Sequence, residues 1–460
     1  FPYKLLVFVT LYWPILIFVE TVAYHIFHIQ NLATAKYTGL IFCNCIHAPT
    51  WVQISYFLIG PIFFIICSII NFKSPYSKIY RQIKQTVNKY YSKDKVILVD
   101  GLSQKIKVLT GASFYFSWLP RRVALFFREI RQYTHIIVET LRFKPDIMYC
   151  DHANVIVGAL LSRLQRRTLI VFRVMGVYPV MRSSLTSNRL INKIFKWAYR
   201  SPFDLVICTQ DGSGVERWLD DALLSSVPVK IKINGVNLNT DKQFLSDDSL
   251  NIKTIGKDKT TVLFVGKLED HKGCDEFIDS IIKAMRIKPN TFHGVIVGFG
   301  SKRKSLMNRI KKERLTLDFT FIERLPHSDI LYLQESCDIY VSLNKLGNFS
   351  NANLEAMRMG SCMIIPENLP YIGEDTVIKQ YIPDDAYLGV SSVFDTDSIV
   401  EKIILLQENE LLRCSLRKKI KESSKEFIPT WDERVISEIN LLDEKFNKVF
   451  ITPPQIKTTI

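Results

Sequence analysis

The chain has 460 residues, of which 47% are hydrophobic and 23% are charged, and this balance excludes a chain that is disordered throughout. Its length allows two or three domains. The formal net charge of +15 indicates an anionic partner of one of three kinds: nucleic acid, a membrane surface or a phosphorylated substrate. Nine cysteines, without disulfide-rich or metal-ligand spacing apart from a Cys43-x-Cys45 pair, favour a reducing compartment and core packing.

The first sixty residues form the most apolar part of the chain. The run at 5–19 is short for a membrane span, whereas residues 51–70 carry no charge over the length of about 20 residues that a bilayer requires. The second half of that run, 62–70, is also typical of a buried strand that opens a globular domain. We predict an apolar extension over residues 1–60 that contacts a membrane, and both a spanning and a peripheral arrangement remain open.

Residues 114–132 combine aromatic and basic side chains in a way that differs from the rest of the chain. Rings at headgroup depth and arginines on lipid phosphates suit a membrane interface. A surface helix with an aromatic stripe facing the core is an equal alternative. The residues predicted to contact membrane or acceptor are Trp118, Arg121, Arg122, Phe126 and Phe127.

From residue 61 onward, short apolar strands alternate with helical patterns, which is typical of a doubly wound parallel sheet. The predicted strands of the first series are 95–100, 146–150, 168–174, 204–208 and 229–233, and those of the second are 261–266, 293–298, 318–323, 338–343 and 362–366. A polar stretch at 239–260 is interpreted as the linker between them. The pattern predicts two Rossmann-like domains that face a cleft, at 61–238 and 239–428, followed by a terminal helix and tail at 429–460. The helical part of this last segment is expected to cross back onto the first domain.

The segment "GNFSNANLEAMRMG" at 347–360 lies between two apolar strands. Ser350 is placed to cap a short helix, and Gly360 stands where a left-handed turn would end it. Loops at the carboxyl ends of parallel strands bind ligands, and a helix amino terminus there favours phosphate. Glu355 could accept hydrogen bonds from ligand hydroxyl groups. Taken alone, however, Glu355 is more simply a carboxylate favoured by the helix dipole.

Two lysines and three glycines surround the strand ends of the second series. In "VGKLEDHKG", Gly266 and Lys267 end a strand and Lys272 precedes a helix, so the two ammonium groups can clamp a diphosphate without a metal ion. In "VGFGS", Gly298 and Gly300 allow the backbone to approach a ligand closely. A basic helical segment at 302–314 has no nucleic-acid motif beside it, and we predict no nucleic-acid partner.

In their order and spacing, these motifs resemble the retaining glycosyltransferases of family 4, which have the GT-B fold and include bacterial polysaccharide and glycolipid glycosyltransferases. The resemblance is specific over about 260–370, through "VGKLEDHKG", "VGFGS", "ERLPHSDILYLQESCDIYVSL" and "NLEAMRMGSCMII". It is looser in the first domain, through "KPDIMYCDHANVIVGALLSRL", "FDLVICTQ" and "KINGVN". It implies a nucleotide-sugar domain that follows an acceptor domain.

The resemblance also implies roles for individual residues. Lys267 and Lys272 match the pair that holds the donor diphosphate, Glu355 matches the glutamate that bonds the nucleotide ribose, and the catalytic set is His152, Lys272 and Glu355. His152 matches a histidine near the donor sugar and acceptor, with an ordinary loop histidine as the alternative. The implied donor-binding set is Gly266, Lys267, Lys272, Gly298, Gly300, Arg324, Leu325, Asn351, Leu354 and Glu355, in which the backbone of Arg324 and Leu325 receives the base.

Two positions depart from the family's pattern. The first glutamate of its E-x7-E motif is Gly347 here, and the histidine of its His-Gly pair is Met175. Asn344, Asn348 or a water molecule could contact the donor sugar in place of that glutamate.

The resemblance implies a metal-independent hexosyltransferase that uses a nucleoside diphosphate sugar, has no cofactor, and retains the sugar's configuration. With the apolar and basic segments, it predicts transfer to a glycolipid or polysaccharide acceptor at the cytoplasmic face of a membrane. A GT-B partner subunit without activity and a GT-B sugar-nucleotide epimerase are the alternatives.

Overall fold

The computed structural model describes residues 144–164, 168–238 and 258–451, together with single positions between 133 and 141 and at Thr254. By its contacts the chain divides between Asp146 and Ile147, and the fold below is that of the unit beginning at Ile147. The predicted apolar extension, the strand at 95–100, most of the linker and the membrane segment with Trp118 and Arg121 lie outside the described residues. Within the described part of the chain, no helix is both long and apolar enough to cross a membrane.

The first sheet has four parallel strands in the order β1-β2-β3-β4. The strands are β1 (Ile147–Asp151), β2 (Leu169–Val174), β3 (Leu205–Gln210) and β4 (Val229–Ile233). Its helices are α1 (Val155–Leu164), α2 (Pro179–Thr186), α3 (Leu190–Tyr199) and α4 (Val215–Ala222). Every residue of β2 and β3 is buried, as expected of strands covered on both faces of a sheet.

The second sheet has six parallel strands in the order β12-β9-β8-β5-β6-β7. These are β5 (Thr260–Val265), β6 (Phe292–Val297), β7 (Phe319–Ile322), β8 (Ile339–Val341), β9 (Met363–Pro366) and β12 (Leu388–Val390). A two-residue hairpin, β10 (Asn368–Leu369) with β11 (Gly373–Glu374), follows β9. All strands predicted in this part of the chain are present, and β12, which has only three residues, was not predicted.

Seven helices accompany the second sheet in the described residues. They are α5 (Cys274–Ile287), α6 (Arg303–Lys312), α7 (His327–Ser336), α8 (Asn351–Met359), α9 (Thr376–Tyr381), α10 (Thr396–Glu408) and α11 (Glu410–Phe427). Successive residues of β5 enter different cores, since Val262 and Phe264 pack in one buried cluster and Leu263 in another. This alternation confirms that the sheet is covered on both faces, and with the first sheet it confirms the predicted α/β fold class.

The last α-helix in the described residues, α12 (Trp431–Phe446), returns to the first sheet. Thr430 and Glu433 form a capping box at its start. Arg434 donates from Nε to the carbonyl of Ile233 at 2.8 Å, and Glu438 lies 3.3 Å from Arg173 on β2. These contacts, made by nearly buried charged groups, confirm the expected crossing of the terminal segment onto the first domain.

Candidate functional site

Helix α8 begins at the carboxyl end of the second sheet, as predicted. The Ser350 hydroxyl accepts from the amide of Asn353 at 3.4 Å, and Gly360 ends the helix with φ of 76°. The loop before the helix is tied to the loop after β5, since the amide of Lys345 donates to the carbonyl of His271 at 2.9 Å. The loop that leads into α8 therefore lies against the loop that carries the two predicted diphosphate lysines.

Glu355 lies in the second turn of α8, and 19% of its side chain is exposed. Its Oε1 is hydrogen-bonded to Nε2 of His327 at 2.9 Å, and His327 is the first residue of α7. This pairing fixes the carboxylate beside the start of α7. His327 was not among the site residues predicted from the sequence, although a histidine directly after Pro326 at a helix start was a visible signal.

The lysine pair follows β5. Lys267 is exposed, and Lys272 ends a short 3-10 turn at Asp270–Lys272 and is half-buried. Burial lowers the pKa of the Lys272 ammonium, the charge of Lys267 lowers it further, and the carboxylate of Asp211 opposes both. A half-buried ammonium group with an exposed one close enough to lower its pKa forms a site suited to an anion.

Gly298 and Gly300 are required for packing between loops. A Cβ on Gly298, where φ is +154°, would overlap the carbonyl oxygen of Gly266, and one on Gly300 would overlap that of Leu268. The two glycines thus hold the loop after β6 against the loop that carries Lys267. Their predicted contact with the donor stays a prediction.

The remaining predicted donor residues lie around α8 and after β7. The Arg324 guanidinium lies 5.0 Å from the centre of the Phe299 ring, and Leu325 packs against the core. Asn351 accepts from Asn234 Nδ2 of the first domain at 2.8 Å. The Leu354 side chain is fully buried in the core, so only its backbone is available to a ligand.

His152 follows β1 and packs among aromatic side chains of the first domain. Its Nε2 is 2.7 Å from the hydroxyl of Tyr199, and its ring stacks on Phe195 with centroids 5.3 Å apart. Burial raises the pKa of Tyr199 to about 12. These contacts suit the alternative of a structural loop histidine, and the predicted role near the donor sugar stays a prediction.

A loop of the first domain fills the space beside Gly347. A Cβ on Gly347 would overlap the carbonyl oxygen of Asp211 and lie 2.7 Å from the carbonyl carbon of Gly212 and 2.8 Å from the amide of Ser213. The amide of Phe349 donates to that same Asp211 carbonyl at 3.1 Å. The two domains therefore meet at the position where the family's pattern has a glutamate.

Asp211 follows β3 and was not among the site residues predicted from the sequence, although an aspartate at the end of a buried strand was a usable signal. Its Oδ1 accepts from Ser213 through the amide at 3.0 Å and the hydroxyl at 2.5 Å. Burial raises the pKa of Asp211 to about 6, against the hydrogen bonds from Ser213 and the charge of Lys272, which lower it.

The asparagines considered as substitutes for the missing glutamate make hydrogen bonds within the fold, and their predicted contact with the donor sugar stays a prediction. Asn344 donates to the carbonyl of Gly347 at 2.6 Å. Asn348 is fully buried and donates to the carbonyl of Pro366 at 2.7 Å and to Asp375 at 3.0 Å. Their amide groups shape the loop against which Asp211 lies.

Residues 246–427 match the family model described as Glycosyl transferases group 1. Two uncharacterised glycosyltransferases of Methanocaldococcus jannaschii are similar to the chain: one is 27% identical over 179 residues, which is 38% of this chain and 42% of the relative. The other is 26% identical over 251 residues, 54% of this chain and 62% of the relative. The chain thus spans less than two thirds of the length of either relative.

Among solved structures, sucrose-phosphate synthase from Thermosynechococcus elongatus is 18% identical with a TM-score of 0.57, over 72% of this chain and 81% of that one. HepE of Anabaena, solved in complex with UDP, is 15% identical with a TM-score of 0.52, over 68% of this chain and 82% of HepE. These likenesses show the predicted GT-B fold. The family match lies within the second domain, at residues 246–427.

Proposed function

We propose that the protein is a retaining glycosyltransferase of family 4 that moves a hexose from a nucleoside diphosphate sugar to a lipid-linked or polysaccharide acceptor. The observation that carries the proposal is the convergence of Lys267, Lys272 and the amino terminus of α8 at one edge of the second sheet. A helix amino terminus and two ammonium groups form an anion site. A diphosphate with a sugar on one side and a ribose on the other fits this arrangement, and HepE, a structural neighbour, binds UDP.

The lysines give the site its electrostatic role. As the bond between sugar and diphosphate breaks, negative charge develops on the leaving phosphate oxygens. Lys267 and Lys272 stabilise that charge in a partly desolvated position, where such interactions are stronger than in water. The proposed reaction therefore needs no metal ion to neutralise the diphosphate.

Glu355 serves the nucleotide side in this proposal. Its carboxylate accepts from ribose hydroxyl groups, and His327 keeps it oriented. Arg324 and Leu325 lie after β7 on the side proposed to receive the base.

In the transfer step, the oxygen of an acceptor hydroxyl bonds to the anomeric carbon on the face from which the diphosphate leaves. The hydroxyl proton passes to a leaving phosphate oxygen. Contact between the domains at Asp211 and Gly347 limits the access of water, which favours transfer over hydrolysis.

A setting at the cytoplasmic face of a membrane is part of the proposal. It rests on the net charge of +15, the apolar residues 1–60 and the aromatic-basic segment with Arg121 and Arg122. Exchanging both arginines for glutamate is expected to release the protein from anionic liposomes in a sedimentation assay. Unchanged sedimentation would contradict the interfacial role.

The first test is a thermal-shift and diphosphate-release screen against UDP-, GDP-, ADP- and TDP-sugars, without metal and then with it. Stabilisation by one donor with slow release of its diphosphate would support the transferase. Stabilisation without turnover, even with added acceptors, would favour the second candidate, a GT-B partner subunit without activity, which Gly347 and Met175 suggest. No stabilisation by any donor would contradict the proposal.

A further inference from the structure

Gly347 leaves no room for the glutamate of the family's motif, because the first domain occupies the space that a side chain at this position would need. The backbone from Asp211 to Ser213 lies against Gly347 so closely that even a methyl group is excluded. A glutamate at 347 would force the two loops apart. The second domain therefore contributes no carboxylate at this position.

A carboxylate is nevertheless present at this meeting point, and it belongs to Asp211. Its Oδ2 lies against Gly176, where φ is +120° and where a Cβ would overlap that oxygen. Gly176 belongs to the Met-Gly pair after β2, and Met175 beside it is 39% exposed. The carboxylate thus lies between the loops that end two neighbouring strands, at the sheet edge where ligands bind in folds of this class.

The loop around Asp211 orients this carboxylate. Both hydrogen bonds from Ser213 go to Oδ1, in the turn that aspartate commonly forms with the residue two positions on. Oδ2 faces Gly176 and receives neither of the hydrogen bonds from Ser213. One oxygen is held in place while the other remains able to accept from a ligand.

Lys272 lies close enough to Asp211 for each charge to change the other's pKa. If Lys272 binds the donor diphosphate, the sugar attached to that diphosphate extends from the same place. A carboxylate beside the diphosphate lysine is therefore placed to meet hydroxyl groups of that sugar.

We infer that Asp211 supplies, from the first domain, the carboxylate that the second-domain motif lacks at Gly347, and that it accepts hydrogen bonds from hydroxyl groups of the donor sugar. The inference rests on the proposed function, since it takes the diphosphate at Lys272 as given. It assigns Asp211 a sugar-binding role and leaves the nucleotide to the second domain.

The test compares calorimetric binding of a nucleoside diphosphate with that of its sugar conjugate. The probes are UDP with UDP-glucose, UDP with UDP-N-acetylglucosamine, and GDP with GDP-mannose. The variants are Asp211→Asn and Asp211→Ser, both of which can still accept from Ser213, and Asp220→Asn as a control that removes an exposed charge on α4. Thermal unfolding of each variant shows that it is folded.

For the probe pair that the wild type binds, we expect both Asp211 variants to bind the nucleoside diphosphate with an affinity within about threefold of wild type. Their affinity for the sugar conjugate should fall by about tenfold or more, because the lost hydrogen bonds are to a charged acceptor. Asp220→Asn should change neither. Equal losses for both probes, or none, would overturn the inference and leave the proposed function standing. Failure of the wild type to bind any probe would overturn both.

Discussion

The two domains contribute to the candidate site in different ways. In the second domain, Lys267, Lys272 and Glu355 lie in continuous motifs, and each is positioned by the ends of its own strand and helix. In the first domain, Asp211 lies in a loop without a recognisable motif, and its place in the site depends on contact with Gly347. Under the two proposals above, the second domain binds the nucleotide and the diphosphate of the donor, and the first domain contacts its sugar.

The largest effect is expected from Lys272→Ala, which tests the contribution of the second domain to donor binding and transfer. Removing this half-buried ammonium takes away charge that stabilises both the bound diphosphate and the leaving group. We expect diphosphate affinity to fall by about tenfold or more and transfer by about a hundredfold or more, measured by calorimetry and by diphosphate release. Lys304→Ala removes an exposed charge from α6 and should leave both near wild type. Equal effects of the two variants would contradict the clamp.

A second large effect is expected from Gly347→Ala, which tests the contact between the domains. The added methyl group would overlap the Asp211 carbonyl, so the loops must separate. We expect the melting temperature to fall by several degrees and the affinity for a nucleotide sugar to fall with it. Gly266→Ala is the steric control, because its nearest neighbour would lie 3.6 Å away, and it should melt near wild type. A Gly347→Ala protein as stable as wild type would show that the loops are not tightly packed.

An intermediate effect is expected at Glu355 and His327. Glu355→Gln should weaken binding of the bare diphosphate and of its sugar conjugate alike by about tenfold, because the ribose is common to both. His327→Ala should weaken both by about threefold, and adding it to Glu355→Gln should cost little more if it acts through the carboxylate. Calorimetry on the double variant checks this, and fully additive losses would contradict an orienting role.

The smallest expected effect concerns the stability of the unliganded protein. Burial raises the pKa of Asp211 from 3.8 to about 6, so the folded chain binds this proton more tightly than the unfolded chain. Ionisation of Asp211 therefore destabilises the fold increasingly between pH values of about 4 and 6, and fully above that range. The side chain of the Asp211→Asn variant is uncharged at every pH in this range. The variant should melt a few degrees above wild type at pH 7.5, and the difference in melting temperature should disappear near pH 4. A gap independent of pH would contradict the shifted pKa.

Much of the fold was predictable because short buried parallel strands are nearly continuous apolar runs with recognisable ends. The strands at β1 to β9 and the cap and end of α8 follow from local sequence. β12 was missed, since three residues cannot display a pattern. His327 was missed because its partner Glu355 is 28 residues away, and only the packing of α7 beside α8 brings the two together.

The sequence by itself determined the order of the elements, the lysines at a strand end and the capped helix with its carboxylate, because these depend on contacts between near neighbours in the chain. Gly347 was visible in the sequence only as a departure from a pattern. That the loop after β3 fills its space, and that Asp211 brings a carboxylate there, was decided by tertiary structure alone. The physical reason is steric. Whether a Cβ fits at position 347 depends on backbone that is more than a hundred residues away in the sequence, and no local sequence pattern shows that this backbone lies there.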